Sequence, residues 1–182
     1  AKMEVPQDGV KSSSNPTIQS KEKPEPITAK PVDPKNALFT SKLITTKTKG
    51  HAVEVKAKIK GIQNLYLTVS DGSNSYSCDW ADWGLPRLID SSGKETRLTD
   101  LKWKYAKSGW GKVQINKNCG GRPLRINGKD IAYGIGTHAN SVIHYELPKN
   151  HKFVEFRCLA GIDNGGSDQQ SGTQSSVQFF VS

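Results

Sequence analysis

Between residues 52 and 60 the chain reads AVEVKAKIK, and its apolar and polar positions alternate: Val55, Ala57 and Ile59 on one side, Lys56, Lys58 and Lys60 on the other. A period of two is the pattern of a half-buried β-strand, and the lysines are its solvated face. LYLTV (65–69) resumes the alternation after a turn that contains Gly61 and Asn64. SVIHYEL (141–147), KFVEFRCLA (152–160) and SVQFFV (176–181) read as further strands; PKNH separates the first two, and a long loop rich in Gly, Ser and Gln precedes the last. β-branched and aromatic residues dominate these runs, as a pleated, half-buried surface favours. No segment holds an apolar repeat at i, i+3, i+4, i+7 beyond one turn. Short strands with turn signals between them predict an all-β fold, a two-sheet antiparallel β-sandwich over residues 37–182.

The alternation is missing from the N-terminal part. Residues 1–36 are rich in Pro, Ser, Lys and Glu and lack apolar clusters. Such a segment cannot bury enough surface to offset its ordering entropy, which predicts an extended, flexible linker or tail. The 182 residues allow one ordinary domain beside it. No apolar run approaches the roughly 20 residues that span a bilayer. The opening AKMEVPQDGVKSSS has no hydrophobic signal region, so an export signal has been removed or was never present. The formal charge is +9, part of it in residues 41–61, where Lys42, Lys47, Lys49, Lys56, Lys58 and Lys60 face Glu54. The alternating strand already accounts for three of these lysines. The remaining excess fits solubility or attraction to acidic glycans and anionic surfaces, and no nucleic-acid motif accompanies it. Cys78, Cys119 and Cys158 are an odd set, too widely spaced for C-x-x-C chemistry; one disulfide plus a thiol and three thiols both remain open.

GIGTHAN (134–140) fits the loose dinucleotide fingerprint G-x-G-x-x-G/A, but that loop must open a helix whose N-terminus holds a pyrophosphate. Here it runs straight into the strand SVIHYEL, and the expectation is a turn that presents His138 and Asn140. Polar and aromatic residues cluster in this turn, in DGSNSYSCDWADWGLPRL (71–88), in residues 98–129 and in AGIDNGGSDQQSG (160–172). Indole faces lying over sugar C–H groups, flanked by Asp, Asn and His that bond hydroxyls, make a physically sensible glycan site on such loops. Trp110, between Gly109 and Gly111, and Trp80 are the candidate platforms; His138, Asn140, Asp163 and Asn164 are the candidate polar contacts. Trp103, in the alternating LKWKY, and Trp83 read as core, and His144 has no special claim.

In order, LKWKYAKSGWGKV, GGRPLRI, GIGTHA and GID resemble the first half of the NPCBM family, carbohydrate-binding modules attached to glycoside hydrolases. The upstream stretch NLYLTVSDGSNSYSCDWADWGLPRL resembles that family's C-terminal end, so the halves stand in exchanged order, joined by IDSSGKETRL. Either the module is circularly permuted, or the chain holds the end of one copy and the start of the next. The resemblance implies a jelly-roll, galactose-binding-domain-like sandwich, binding of galactose-containing glycans, and a structural calcium ion, for which Asp71, Asp79 and Asp82 are the candidate ligands. Trp80 stands where the family often has His, and Leu85 where it often has an acid. Catalysis is not expected: Ser141 with His138 and Asp163 lacks a nucleophile elbow, and the family is one of accessory modules. The expected function is non-catalytic glycan binding by a secreted, periplasmic or surface module tethered to a larger protein. The alternative is a structural or docking domain that has lost sugar binding, which an apolar patch on a sheet face would favour.

Overall fold

The computed structural model describes residues 36–182, so the tail expected over 1–36 lies almost wholly outside the described residues. Phe39–Thr40 (β1) and Ile44–Thr45 (β2) lead into Ala52–Lys58 (β3), Asn64–Ser70 (β4) and the long Trp80–Asp90 (β5). Glu95–Arg97 (β6), Tyr105–Lys107 (β7) and Gln114–Ile115 (β8) come next, then a small hairpin of Arg125–Ile126 (β9) and Lys129–Asp130 (β10). Gly134–His138 (β11), Ser141–Glu146 (β12), Phe153–Ile162 (β13) and Ser176–Val181 (β14) complete the strands, with one helical turn, Asn164–Ser167 (α1), after β13.

Two six-stranded antiparallel sheets form the expected sandwich. The first runs β1-β14-β4-β12-β7 with β2 beside β14, and the second runs β3-β13-β5-β11-β8 with β6 beside β5. Strands from either side of the β5–β6 turn interleave in both sheets, so the two halves of the chain build one sandwich. Period-two patterning fills the space between. Val55 and Ala57 of β3, Leu65, Leu67 and Val69 of β4, and Phe156, Cys158 and Ala160 of β13 all point inward, while Lys56, Lys58 and Lys60 are exposed. Trp83 is fully buried and meets Phe179 of the opposite sheet edge-on, ring centroids 5.0 Å apart at 81°. Burying side chains of this size contributes about 2–3 kcal/mol each. Trp103 packs edge-on against Tyr145, as its alternating context suggests. The three cysteines are free thiols, two of them buried.

Two strands depart from the sequence reading. Residues 80–90 and 134–138, read as loops, pair with each other over Trp80–Gly84 and His138–Gly134 at the centre of the second sheet. Neither alternates visibly, because both of their faces are covered: every residue of β11 is buried, and so are Ala81, Asp82, Trp83 and Gly84 of β5. GIGTH is therefore strand, and the turn is confined to residues 139 and 140.

Candidate functional site

The cover on β5 and β11 is residues 116–131, which leave the sheet after β8 and fold back across its outer face. Gly134 and Gly136 permit this approach. A Cβ on Gly134 would lie 2.9 Å from Leu124 Cδ1, and one on Gly136 would strike the backbone of Lys117 and Asn118. Beneath the segment Asp82 and Asp163 are both fully buried. Asp163 accepts hydrogen bonds from Asn118 Nδ2 (2.8 Å), Gly165 N–H (2.7 Å) and Arg125 N–H (3.0 Å). Neither oxygen of Asp82 meets a donor. Burial, and then the charge of neighbouring Asp163, raise Asp82 well above the carboxylate range, so it keeps its proton. Asn118 Oδ1 also accepts from Gly120 N–H (3.2 Å) and Arg122 N–H (3.0 Å). Burial likewise holds the adjacent Cys119 as a thiol. This lattice ties the covering segment and α1 to β5.

Trp80 stands on the same face, at the end of β5, with Gly120 and Gly165 packed against its six-membered ring. On that floor rests Trp110, ring centroids 5.3 Å apart. Trp110 is 53% exposed and Tyr76, on the β4–β5 connection, 63%. His138, buried at the end of β11, sits between them, 6.0 Å from the Trp110 ring and 6.3 Å from that of Tyr76. Ser108 fixes the Trp110 loop: its Oγ donates to the Trp110 carbonyl (2.6 Å) and accepts from His138 N–H (2.9 Å). His138 Nδ1 lies 2.5 Å from the Ala139 carbonyl and is the protonated nitrogen, which leaves the lone pair on Nε2. Burial holds this ring below the ordinary histidine range, hence neutral at pH 7. Exposed Asn140 makes two hydrogen bonds with half-buried Asp71, from Asp71 N–H to Oδ1 (3.0 Å) and from Nδ2 to Asp71 Oδ2 (3.2 Å). The rim thus offers two open aromatic faces, an imidazole acceptor and an amide–carboxylate pair.

Of the expected contacts, Trp80, Trp110, His138 and Asn140 converge here, Trp80 as floor rather than platform. Asp163 and Asn164 do not reach the rim. Asp163 caps α1 with its oxygens occupied, and Asn164 accepts from Gly128 N–H (2.8 Å) and donates to Asp168 (2.8 Å). The expected calcium ligands also separate. Asp71 is at the rim, Asp79 lies between the sheets with Oδ1 accepting from Ser176 N–H (2.8 Å), and Asp82 is on the other side of β5. Burial raises Asp79 to about 7. Among the described residues no three His, Cys, Asp or Glu side chains gather as metal ligands, so this trio does not fit one ion. Tyr76, Ser108 and Asn118 complete the site beyond the residues singled out in the sequence. A lone aromatic in the polar run DGSNSYS marks Tyr76; nothing local marks the other two.

A rigid β-sandwich carrying exposed aromatics and polar groups on loops at one end has the build of a binding module. The NPCBM/NEW2 domain model matches residues 31–89 and 94–182, either side of the β5–β6 turn, and the chain belongs to this family of carbohydrate-binding modules associated with glycoside hydrolases. Over 61 residues it is 36% identical to Alpha-1,3-galactosidase B of Akkermansia muciniphila, a match covering 34% of this chain and 8% of that protein. No solved structure gives a significant match. Related modules are typically extracellular, and among the described residues no helix is long and apolar enough to cross a membrane.

Proposed function

We propose that this chain is a non-catalytic module binding galactose-containing glycans at the Tyr76–His138–Trp110 rim, outside the cell and as part of a larger assembly. The observation that carries the reading is Trp110: a large apolar side chain held half-exposed by a hydrogen-bonded loop, over a tryptophan floor. One sugar face would stack on the indole, while His138 Nε2 accepts from a hydroxyl and the Asp71–Asn140 pair bonds others. The galactose preference is supported by the family and by the name of the Akkermansia relative. The non-catalytic role is supported by the fate of the candidate acids. A glycosidase needs two carboxyl groups facing a cleft, whereas Asp79, Asp82 and Asp163 are all fully buried. Calorimetry of the chain against galactosides is the test. Saturable binding that is lost in Trp110→Ala supports the reading, and absence of binding by the folded protein to any galactoside defeats it.

The two-segment family match further supports reading the chain as one module with its halves exchanged. Leu38 N–H donates to the Val181 carbonyl (2.7 Å), so a joint between residues 37 and 182 needs few residues. A re-permuted chain, opened in the 91–93 turn and joined there, is expected to fold with an unchanged rim; failure to fold would count against the exchange.

A further inference from the structure

Beyond the covering segment, the same outer face of the second sheet lies open. Strand register there sets Lys56, Arg157, Arg87 and Arg97 side by side in one row across β3, β13, β5 and β6. Beside this row is a cleft of about 400 Å³, lined by Glu54, Lys56, Leu85, Arg87, Arg157 and Leu159. A break in the ladder accompanies it. Arg157 pairs with Arg87 but Leu159 with Gly84, so β5 spends Leu85 and Pro86 opposite Cys158 alone. Pro86 has no N–H to offer, and Leu85 takes a left-handed φ of 50°, which a branched side chain adopts only at a cost.

The acids nearby hold the cations in place without consuming them. Glu155 takes Nε and Nη2 of Arg157 (both 2.9 Å), and Glu95 takes Nε of Arg87 (3.1 Å), whose Nη1 bonds the Leu85 carbonyl (3.1 Å). Lys56 is 3.9 Å from Glu54, with both side chains well exposed. Arg97 lies over the Tyr133 ring at 4.4 Å. Among the described residues this leaves Arg157 Nη1, Arg87 Nη2 and the Lys56 ammonium free to donate. With Lys58, five cations here face the three acids Glu54, Glu95 and Glu155.

We propose that this cleft is a second ligand site, taking an oxyanion substituent, a sulfate ester or a carboxylate, carried by an acidic glycan. Guanidinium edges and an ammonium converging on one opening suit an oxyanion, which accepts several charge-assisted hydrogen bonds at once. Leu85 and Leu159 give the sugar ring an apolar wall. The saccharide part of this assignment rests on the carbohydrate-binding reading; the anion part rests on the cleft alone.

The test is equilibrium binding at low ionic strength to a neutral galactan, a sulfated galactan of the same backbone, and polygalacturonate. At least one acidic polymer is expected to bind about tenfold tighter than the neutral one, and the acidic polymer that does so identifies the substituent. Lys56→Gln with Arg157→Gln removes that excess and spares neutral binding, whereas Lys42→Gln with Lys149→Gln, on other exposed loops, preserves it. Glu54→Gln strengthens it. Should the first pair unfold, Lys56→Gln with Arg157→Lys keeps one charge but not the fork, and a clear partial loss of the excess is expected. Equal binding of all three polymers overturns the proposal. So does equal loss from the Lys42 and Lys149 changes, which would make the attraction a property of net charge. Loss of acidic binding in Trp110→Ala would place the ligand at the rim and also overturns it. Acidic binding with no neutral binding defeats the galactan reading of the rim while the cleft stands.

Discussion

Asp82 and Arg87 belong to one strand and face the same side of the sheet, yet residues 116–131 seal the first while water reaches the second. Under the seal, two carboxylates are tolerated only because Asp82 keeps its proton and Asp163 collects three N–H donors. In the open half the same strands carry Arg157–Glu155 and Arg87–Glu95 as ordinary ion pairs. Buried polar groups left without partners are costly, whereas exposed pairs contribute little and are replaceable. The sealed half can therefore hold a floor under Trp110 rigidly. The open half keeps donors to spare.

The sharpest way to break this contrast is Asp163→Ala. It strands the Asn118 amide and the N–H groups of Arg125 and Gly165 at once, and should cost about 3–5 kcal/mol in urea unfolding. A loss under about 1 kcal/mol would mean the lattice is not what holds the cover. Trp110→Ala comes next. It should lower galactoside affinity at least about tenfold in calorimetry, about 1.4 kcal/mol, and leave thermal stability unchanged. A third test uses pH. Asp79 holds its proton to about 7 in the fold but releases it near 4 when unfolded, so stability should fall as pH rises between those values and level off above 7. Asp79→Asn cannot titrate, and its stability advantage should grow across that window in melts at successive pH values; a gap independent of pH would refute the raised value. Asp82→Asn should change stability by less than about 1 kcal/mol at pH 7, because a neutral amide of the same shape replaces a neutral acid. The smallest effect belongs to the open half: Glu155→Gln should leave unfolding unchanged, and a large loss there would erase the distinction.

The fold was legible where one face of a strand meets water. AVEVKAKIK, LYLTV and SVQFFV announce themselves by alternation. β5 and β11 did not, because the covering segment buries their second face and the bulge at Leu85 and Pro86 shifts the parity from Trp83 inward to Leu88 inward. The same cover hid the meaning of the glycines in GIGTHAN. They resemble a phosphate loop by count, yet serve as the bare surface on which Leu124, at Gly134, and Lys117 and Asn118, at Gly136, lie. For the site, residue type pointed to Trp110, His138 and Asn140, which the Trp110 loop, the end of β11 and the turn after it bring near one another. The occupied oxygens of Asp163 were not legible, since a carboxylate that caps a turn and one that greets a ligand look alike in a sequence. Asp79 and Asp82, three apart on an extended chain, face opposite ways, so with Asp71 they do not turn toward one ion.

Strand β14 runs away from the rim: Ser176 touches Asp79 and Asp71 beside it, while Val181 pairs with Phe39 at the other end. Six residues of strand make a separation of about 20 Å. Phe39 and Val181 therefore lie at the pole opposite Trp110. Copies attached to one scaffold through this end of the sandwich would each turn the rim outward. Weak individual grips on a repetitive polymer would then add up through effective concentration, with no change to any contact at the rim.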